Sequence, residues 1–121
     1  MKASEILSRA RSLIVEGWCQ RADARDALGR EVMPWSPDAR AWSVLGALVG
    51  ADGVGRPPLE MMPIVELGEA VVALGDAGST DSLEAWNDVD HRTKAEVLAL
   101  FDRALALAPT APTVAHLRSV S

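Results

Sequence analysis

Apolar residues recur at helical spacing in four stretches of the chain, which are separated by glycine, proline and polar residues. An apolar side chain at every third or fourth position forms one stripe along a helix, and that stripe has to be buried against another element. The stretches cover about residues 3–16, 37–50, 60–74 and 94–108. The pattern therefore predicts a mainly α fold, a compact four-helix single domain.

Residues typical of helix ends support the first two helices. Ser4 is the candidate N-cap of the first helix, and Gly17 stands where a left-handed residue would end it. In the second helix, Ser36 is the candidate N-cap with Pro37 in the first turn, and Gly50 follows the last apolar residue. In the third helix, an apolar face is predicted for Ile64, Leu67, Val71 and Leu74.

The segment after the first helix, residues 18–35, has no clear helical period. A short β-hairpin between residues 20–26 and 30–34, or an irregular connection, is favoured, and Gly29 can supply the positive φ that a tight turn needs. A helix over residues 22–28 is the alternative. It is less favoured because the pattern of residues 25–31 buries little on either face of a helix.

The fourth helix has the strongest start signal in the chain. Thr93 and Glu96 form a T-x-x-E capping box before an apolar run. A polar segment with one short turn at residues 83–86 precedes it. Because the capped helix fixes this segment, its polar and aromatic side chains should have defined positions. The candidate residues for ligand or partner binding are Trp86, Asn87, Asp88 and Arg92. We expect Asn87 and Asp88 to hydrogen-bond groups near the first helix, and Arg92 to pair with a carboxylate.

The predicted core joins the second and fourth helices. We expect Trp42, Leu45, Leu98 and Phe101 to be largely buried and to share contacts. Gly46 lowers helix propensity inside the second helix, so we expect it to allow a close contact with another helix. The length of the chain, 121 residues, is enough for one such core. We assign residues 1–108 to a single helical domain and residues 109–121 to a loose C-terminal tail, with a flexible loop at residues 51–58.

Composition narrows the class of protein. Apolar residues make up 49% of the chain and charged residues 24%, which is typical of a globular protein. The longest apolar run, residues 41–51, is too short to cross a bilayer, and the N-terminal residues lack the apolar core of a signal peptide. We therefore expect a cytoplasmic protein that does not bind a membrane.

Charge is unevenly distributed along the chain. Residues 41–90 contain one basic residue against nine acidic ones, a net charge of −8, whereas the whole chain has −5. Nucleic-acid binding needs clustered Lys and Arg, so no nucleic-acid partner is expected. The simplest interpretation of these acidic residues is a face that is exposed to water. The more specific interpretation is a surface that binds a basic partner.

Three further motifs contain residue types that occur in catalytic, metal-binding or phosphate-binding sites. Cys19, His91 and Asn87 are the residue types of a thiol hydrolase, but a cysteine after a helix C-terminus is expected to be buried and unreactive. The acids beside His91 lack the ligand count of a calcium or zinc site. The glycines around Arg56 follow a helix, whereas a phosphate-binding loop follows a strand. No metal and no cofactor are expected.

Several short motifs occur together in an order that resembles a known family. They are Gly17-Trp18-Cys19-Gln20, Ala24-Arg25-Asp26, Gly29-Arg30, Ala41-Trp42, Leu45-Gly46-Ala47-Leu48, Trp86-Asn87-Asp88, Arg92-Thr93 and Glu96-Val97-Leu98. The chain resembles a small bacterial family of unknown function, whose short single-domain members also occur on mobile elements. The resemblance implies one compact module that includes residues 17–20 and 86–88, and it implies no activity.

These observations lead to three functional hypotheses. The first is a non-catalytic cytoplasmic module for protein interaction or regulation, with a protein partner. The second is a protein that binds a small ligand, or a weak hydrolase, with a pocket beside residues 86–88. The third is a mobile-element protein that blocks a basic host surface.

Overall fold

The computed structural model describes residues 2–51, 64–78 and 82–107. Helices predominate in these ranges, which confirms the mainly α prediction. The described ranges contain five helices rather than four, because residues 83–87 form a short helix of their own, and a small sheet joins them. In chain order the elements are α1 (Ala3–Glu16), β1 (Ala24–Arg25), β2 (Glu31–Val32), β3 (Ala41–Trp42), α2 (Val44–Gly50), α3 (Ile64–Ala77), α4 (Leu83–Asn87) and α5 (Lys94–Leu107).

Helix α1 lies at the centre of the helical layer. It packs against α2, α3 and α5, and α3 also packs against α5. The apolar stripe of α1 is buried as predicted, with Leu7 and Ile14 fully inside. Phe101 of α5 is also fully buried, and Trp42 is 3% exposed, as predicted, while Leu45 and Leu98 are partly buried and pack against the same core.

The predicted hairpin after α1 is confirmed. Strand β1 pairs antiparallel with β2, and Gly29 in the turn between them has a φ of 80°. The side chain of Asp26 holds the turn, because its Oδ1 accepts hydrogen bonds from the backbone N–H groups of Leu28 and Arg30, each at 2.9 Å. The hydrogen bonds from Arg30 also keep the pKa of Asp26 below its ordinary value.

The predicted start of the second helix is wrong. Residues 41–42 form β3, which pairs antiparallel with β1, and the helix begins only at Val44. The reason is a pairing distant in sequence: the Trp42 N–H donates to the Gly17 carbonyl at 3.0 Å, and the Trp42 carbonyl accepts from the Cys19 N–H at 3.1 Å. Ser43, rather than Ser36, is the N-cap, and its Oγ accepts from the Gly46 N–H at 3.0 Å.

Two other expectations about helix ends are also corrected. Ser4 lies inside α1, whose N-cap residue is Lys2. Gly17 is extended, with a φ of −176°, so it is not a left-handed cap. A Cβ at Gly17 would overlap the carbonyl oxygen of Arg40, so glycine is required there by the close approach of the chain that leads into β3.

The predicted buried face of α3 is confirmed in part, because Leu74 is fully buried and Leu67 is partly buried against the core. The helix continues to Ala77, past the predicted end at Leu74. Val71, which the spacing placed on the inner face, is 38% exposed, whereas Ala70 and Ala73 are buried. The described inner face thus combines leucines with small alanines, and Val65, Val71 and Val72 lie toward solvent. The predicted loop at residues 52–58 and the tail at 109–121 lie outside the described residues.

The capping box of α5 is confirmed, and it gives the first prediction. The Glu96 N–H donates to Thr93 Oγ1 at 3.2 Å, and the Thr93 N–H donates to Glu96 Oε1 at 2.9 Å. Thr93→Ala should lower the free energy of unfolding by about 1 kcal/mol, because an N-terminal N–H group loses its acceptor. Urea denaturation of both proteins measures this difference, and equal midpoints would contradict the capping role.

Candidate functional site

The side chain of Asn87 lies at the centre of the candidate site and is fully buried at the end of α4. Its Oδ1 accepts from Trp18 Nε1 at 2.8 Å and from the Val44 N–H at 3.0 Å. Its Nδ2 donates to the Cys19 carbonyl at 3.1 Å and to Asp88 Oδ1 at 3.0 Å. One amide thus joins α4 to the segment after α1 and to the first residue of α2, as the sequence predicted in part.

Asp88 and Gln20 extend this network around Asn87. Asp88 Oδ1 also accepts from the Arg21 N–H at 2.9 Å, and it thereby holds Arg21 in a left-handed conformation with a φ of 62°. Gln20 Nε2 donates to the carbonyl oxygens of Asn87 and Val89, at 3.0 and 2.9 Å. The segment after α1 is therefore fixed to the segment after α4 through both backbone and side-chain atoms.

Trp86 and Arg92 form the second part of the site. The guanidinium carbon of Arg92 lies 3.7 Å from the centre of the Trp86 ring, so the two groups stack. Arg92 Nε donates to the Trp86 carbonyl at 3.0 Å, and its terminal nitrogen pairs with Glu96 Oε2 at 3.3 Å. The predicted pairing of Arg92 with a carboxylate is confirmed. Trp86 is only 8% exposed, so it is a packed residue rather than an exposed anchor.

The thiol of Cys19 is close to this network but is not activated by it. Burial raises the pKa of the Cys19 thiol to about 11. The sulfur donates to the Ala22 carbonyl at 3.6 Å, whereas Asn87 contacts the backbone carbonyl of Cys19. His91 is exposed in the turn before α5. Cys19 and Asn87 are therefore neighbours, but the Cys19 thiol hydrogen-bonds neither Asn87 nor His91. These three residues do not form a nucleophile with a base.

The raised pKa predicts slow labelling of Cys19 by a maleimide or an aromatic disulfide. Only roughly one thiol in 10,000 is a thiolate at pH 7 when the pKa is near 11, and the thiolate is the reactive form. The labelling rate of the folded protein should therefore rise about tenfold per pH unit as the pH approaches the pKa. The unfolded protein in urea is the control. Fast native labelling at pH 7 would show that the thiol is accessible and ionised.

A cavity of about 480 Å³ lies beside this network. Its lining is mostly acidic: Arg21, Ala22, Asp23, Glu31, Ser43, Glu84 and Asp88. Asp88 is the one candidate residue that lines it, so the cavity is next to the site but does not include Trp86, Asn87 or Arg92. Within the described ranges, no group of three or more His, Cys, Asp or Glu side chains is placed to hold a metal ion.

The sequence predicts the two halves of this site unequally. The four candidate residues lie together as one half, whereas their partners Trp18 and Gln20 are indicated only by the resemblance, which places residues 17–20 in one module with 86–88, and Arg21 is not indicated at all. The available signal was the Gly17-Trp18-Cys19-Gln20 motif, since a Trp N–H and a Gln amide next to a helix end both need hydrogen-bond partners when they are buried. Nothing local in the sequence says that those partners lie about 70 residues further along the chain.

The fold and the site define a small, mainly helical domain in which a buried asparagine joins α4 to the segment after α1 and to α2. The chain belongs to a family of unknown function, DUF6197, whose model matches residues 1–107. Neither the curated proteins nor the solved structures gave a match. No helix in the described part of the chain is both long and apolar enough to span a bilayer. The function is therefore inferred from the geometry of the chain itself.

Proposed function

We propose that this chain is a non-catalytic cytoplasmic module that binds another protein through the outer face of α3. The observation that carries the proposal is the exposure of large apolar side chains on and beside this helix. Val65 is 71% exposed, Val72 is 62% exposed and Leu107, at the end of α5, is 57% exposed. In contrast, the candidate residues at 86–88 and 92 make contacts within the domain, so they support a structural role.

The arrangement of these side chains supports binding more than their number does. Single exposed apolar residues are common on proteins, whereas contiguous apolar surface is typical of interaction sites. Val72 and Leu107 line one cleft of about 500 Å³, together with Gly68, Glu69, Ala73 and Asp76. Val65 lies on the same side of α3, two helical turns before Val72. A partner could therefore bury several apolar groups in one contact.

The proposed compartment is supported by Cys19, which is a free and buried thiol. Free buried thiols are common in the reducing cytoplasm, where disulfides are rare. This part of the proposal concerns the cellular compartment, and it does not depend on whether the partner binds through α3.

The experiment compares partner capture by four forms of the immobilised protein. Val65→Gln and Val72→Gln together remove the two most exposed apolar side chains of α3, and Gln is no worse a helix former than Val. Leu28→Gln removes an equally exposed apolar group, 76% exposed, from the hairpin turn, and it is the matched control. Asn87→Ala tests the structural role of the candidate site.

We expect the wild-type, Leu28→Gln and folded Asn87→Ala proteins to retain the same partner, and the double valine variant to lose it. Circular dichroism confirms that each variant is folded before capture. Equal retention by all four forms would rule out the α3 face. Loss by Asn87→Ala alone, at unchanged stability, would assign the binding to the candidate site instead.

A small cationic ligand in the acidic cavity is the second candidate function. The cavity beside Asp88 has three other acids, Asp23, Glu31 and Glu84, against Arg21. Opposite charge would favour an amine or guanidinium group there. Calorimetric titration with spermidine and with arginine tests this candidate, and Glu31→Gln should weaken any binding. If the variant and the wild type give equal heats of binding, the ligand does not bind in this cavity.

A further inference from the structure

The acidic residues of α3 indicate which kind of partner protein its outer face can bind. The helix contains Glu66, Glu69 and Asp76 and no basic residue. Glu69 and Asp76 line the cleft on either side of Val72, and neither forms an ion pair within the part of the chain that the structure describes. The apolar centre of this cleft is thus bordered by two carboxylates that pair with no cation among the described residues.

We infer that this cleft binds an amphipathic helix of a partner protein, and that the partner carries Lys or Arg beside its apolar stripe. The inference rests on the proposed function and specifies the partner. A helix that lies in an apolar groove contributes residues at positions i, i+3 or i+4 and i+7, and charges at the rim fix its orientation.

The spacing of the two carboxylates sets the spacing of the partner's cations. Glu69 and Asp76 are seven residues apart in one helix, so they are two turns and roughly 10 Å apart along its axis. Two Lys or Arg residues at i and i+7 of a partner helix have the same separation. An aligned partner helix can therefore pair with both carboxylates while its apolar residues contact Val72 and Leu107.

Gly68 gives such a helix room to approach. A Cβ at this position would meet no atom of the described residues outside its own helix backbone within 4 Å, so packing among these residues does not require glycine here. Glycine inside a helix also costs about 1 kcal/mol relative to alanine. Small residues in a helix face allow the backbone of a second helix to come close, and Gly68 lies in the lining of the cleft.

A second copy of this chain fits the same cleft less well. Pairing of two α3 helices through this cleft would bring together linings with two carboxylates each, Glu69 and Asp76, and no basic residue. Like charges that face each other across an interface oppose association. The charge of the face thus favours a basic partner over self-association.

The test uses the whole chain and fluorescently labelled synthetic helices as probes. One peptide has Leu at i, i+3 and i+7 with two Lys residues seven positions apart, and a second has Glu in place of both Lys residues. Fluorescence anisotropy measures their binding to the wild type, to Glu69→Lys/Asp76→Lys and to Gly68→Gln. Glu66→Lys changes an acid of the same helix that does not line the cleft, and it is the control.

We expect the Lys peptide to bind the wild type and the Glu66→Lys protein, and to bind the double reversal at least tenfold more weakly. The Glu peptide should show the opposite preference, and added salt should weaken both complexes. Gly68→Gln should also weaken binding tenfold or more while its thermal midpoint stays at or above that of the wild type, since Gln is the better helix former.

Three results would overturn the inference. They are no binding of the Lys peptide to the wild type, equal binding of both peptides, and a wild-type dimer in sedimentation experiments that Gly68→Gln converts to monomer. If partner capture still requires Val65 and Val72 while the Lys peptide fails to bind, the inference is wrong and the proposed function stands. If capture is independent of α3, both are wrong.

Discussion

Replacing Asn87 with alanine should lower the free energy of unfolding by about 3–5 kcal/mol, because buried groups that now share its amide would lose their partners. Trp18 Nε1 and the Val44 N–H would each lose an acceptor, and the Cys19 carbonyl would lose a donor. A buried polar group without a partner costs more than a formed hydrogen bond contributes. Chemical denaturation monitored by tryptophan fluorescence measures the loss.

The control for Asn87 is the neighbouring ion pair of Arg21 and Asp90. The two side chains are 60% and 79% exposed, and they are 2.9 Å apart. An exposed pair contributes at most about 1 kcal/mol, so Asp90→Ala should leave the midpoint nearly unchanged. If Asn87→Ala unfolds at the same denaturant concentration as the wild type, water replaces the amide without cost, and the network does not hold the fold together.

The network also explains which parts of the fold were predictable. The hairpin and α5 were predicted because their signals are local: Gly29 and Asp26 lie within one turn, and Thr93 and Glu96 lie within one capping box. Residues a few positions apart determine such structures, whatever the rest of the chain does.

The start of α2 was not predictable in the same way. Pro37 and Ser36 do form a turn, in which Ser36 Oγ accepts from the Asp38 N–H at 3.1 Å. The backbone of Trp42, however, is paired with Gly17 and Cys19, which are more than 20 residues earlier. A helix cannot include a residue whose N–H and carbonyl groups are already used in a sheet. The backbone pairing of Trp42 therefore depends on tertiary structure, and the local residues that favour a helix at Ser36 and Pro37 do not determine it.

The surface that we propose for binding could not be predicted from local sequence either. The sequence places valines and alanines at helical spacing in α3, and apolar spacing alone cannot separate a buried face from an exposed one. The structure buries Ala70 and Ala73 and leaves Val65 and Val72 in solvent. The polar residues Asn87, Asp88 and Arg92 favour a binding site in the sequence, whereas in the structure their side chains hydrogen-bond groups of the same domain.

Replacing Gly46 with alanine should lower the free energy of unfolding by more than about 3 kcal/mol, at the upper end of what overpacking costs. Gly46 lies in α2, where the sequence predicted a close contact with a helix. The contact is close, but it is with the backbone of Asp23, whose carbonyl oxygen an added Cβ would overlap. Asp23 cannot move freely, because its carbonyl accepts from the Ser43 N–H at 3.1 Å.

Gly68→Ala is the matched substitution for Gly46→Ala. Both glycines lie inside helices, but a Cβ at Gly68 meets no atom within 4 Å among the residues that the structure describes. Helix propensity alone should therefore make Gly68→Ala more stable than the wild type by about 0.5–1 kcal/mol. The same chemical change should thus have opposite signs at the two sites in thermal and urea unfolding. If Gly46→Ala were also stabilising, α2 and the segment before β1 could separate without cost, and the contact that joins the sheet to the helices would not be required for the fold.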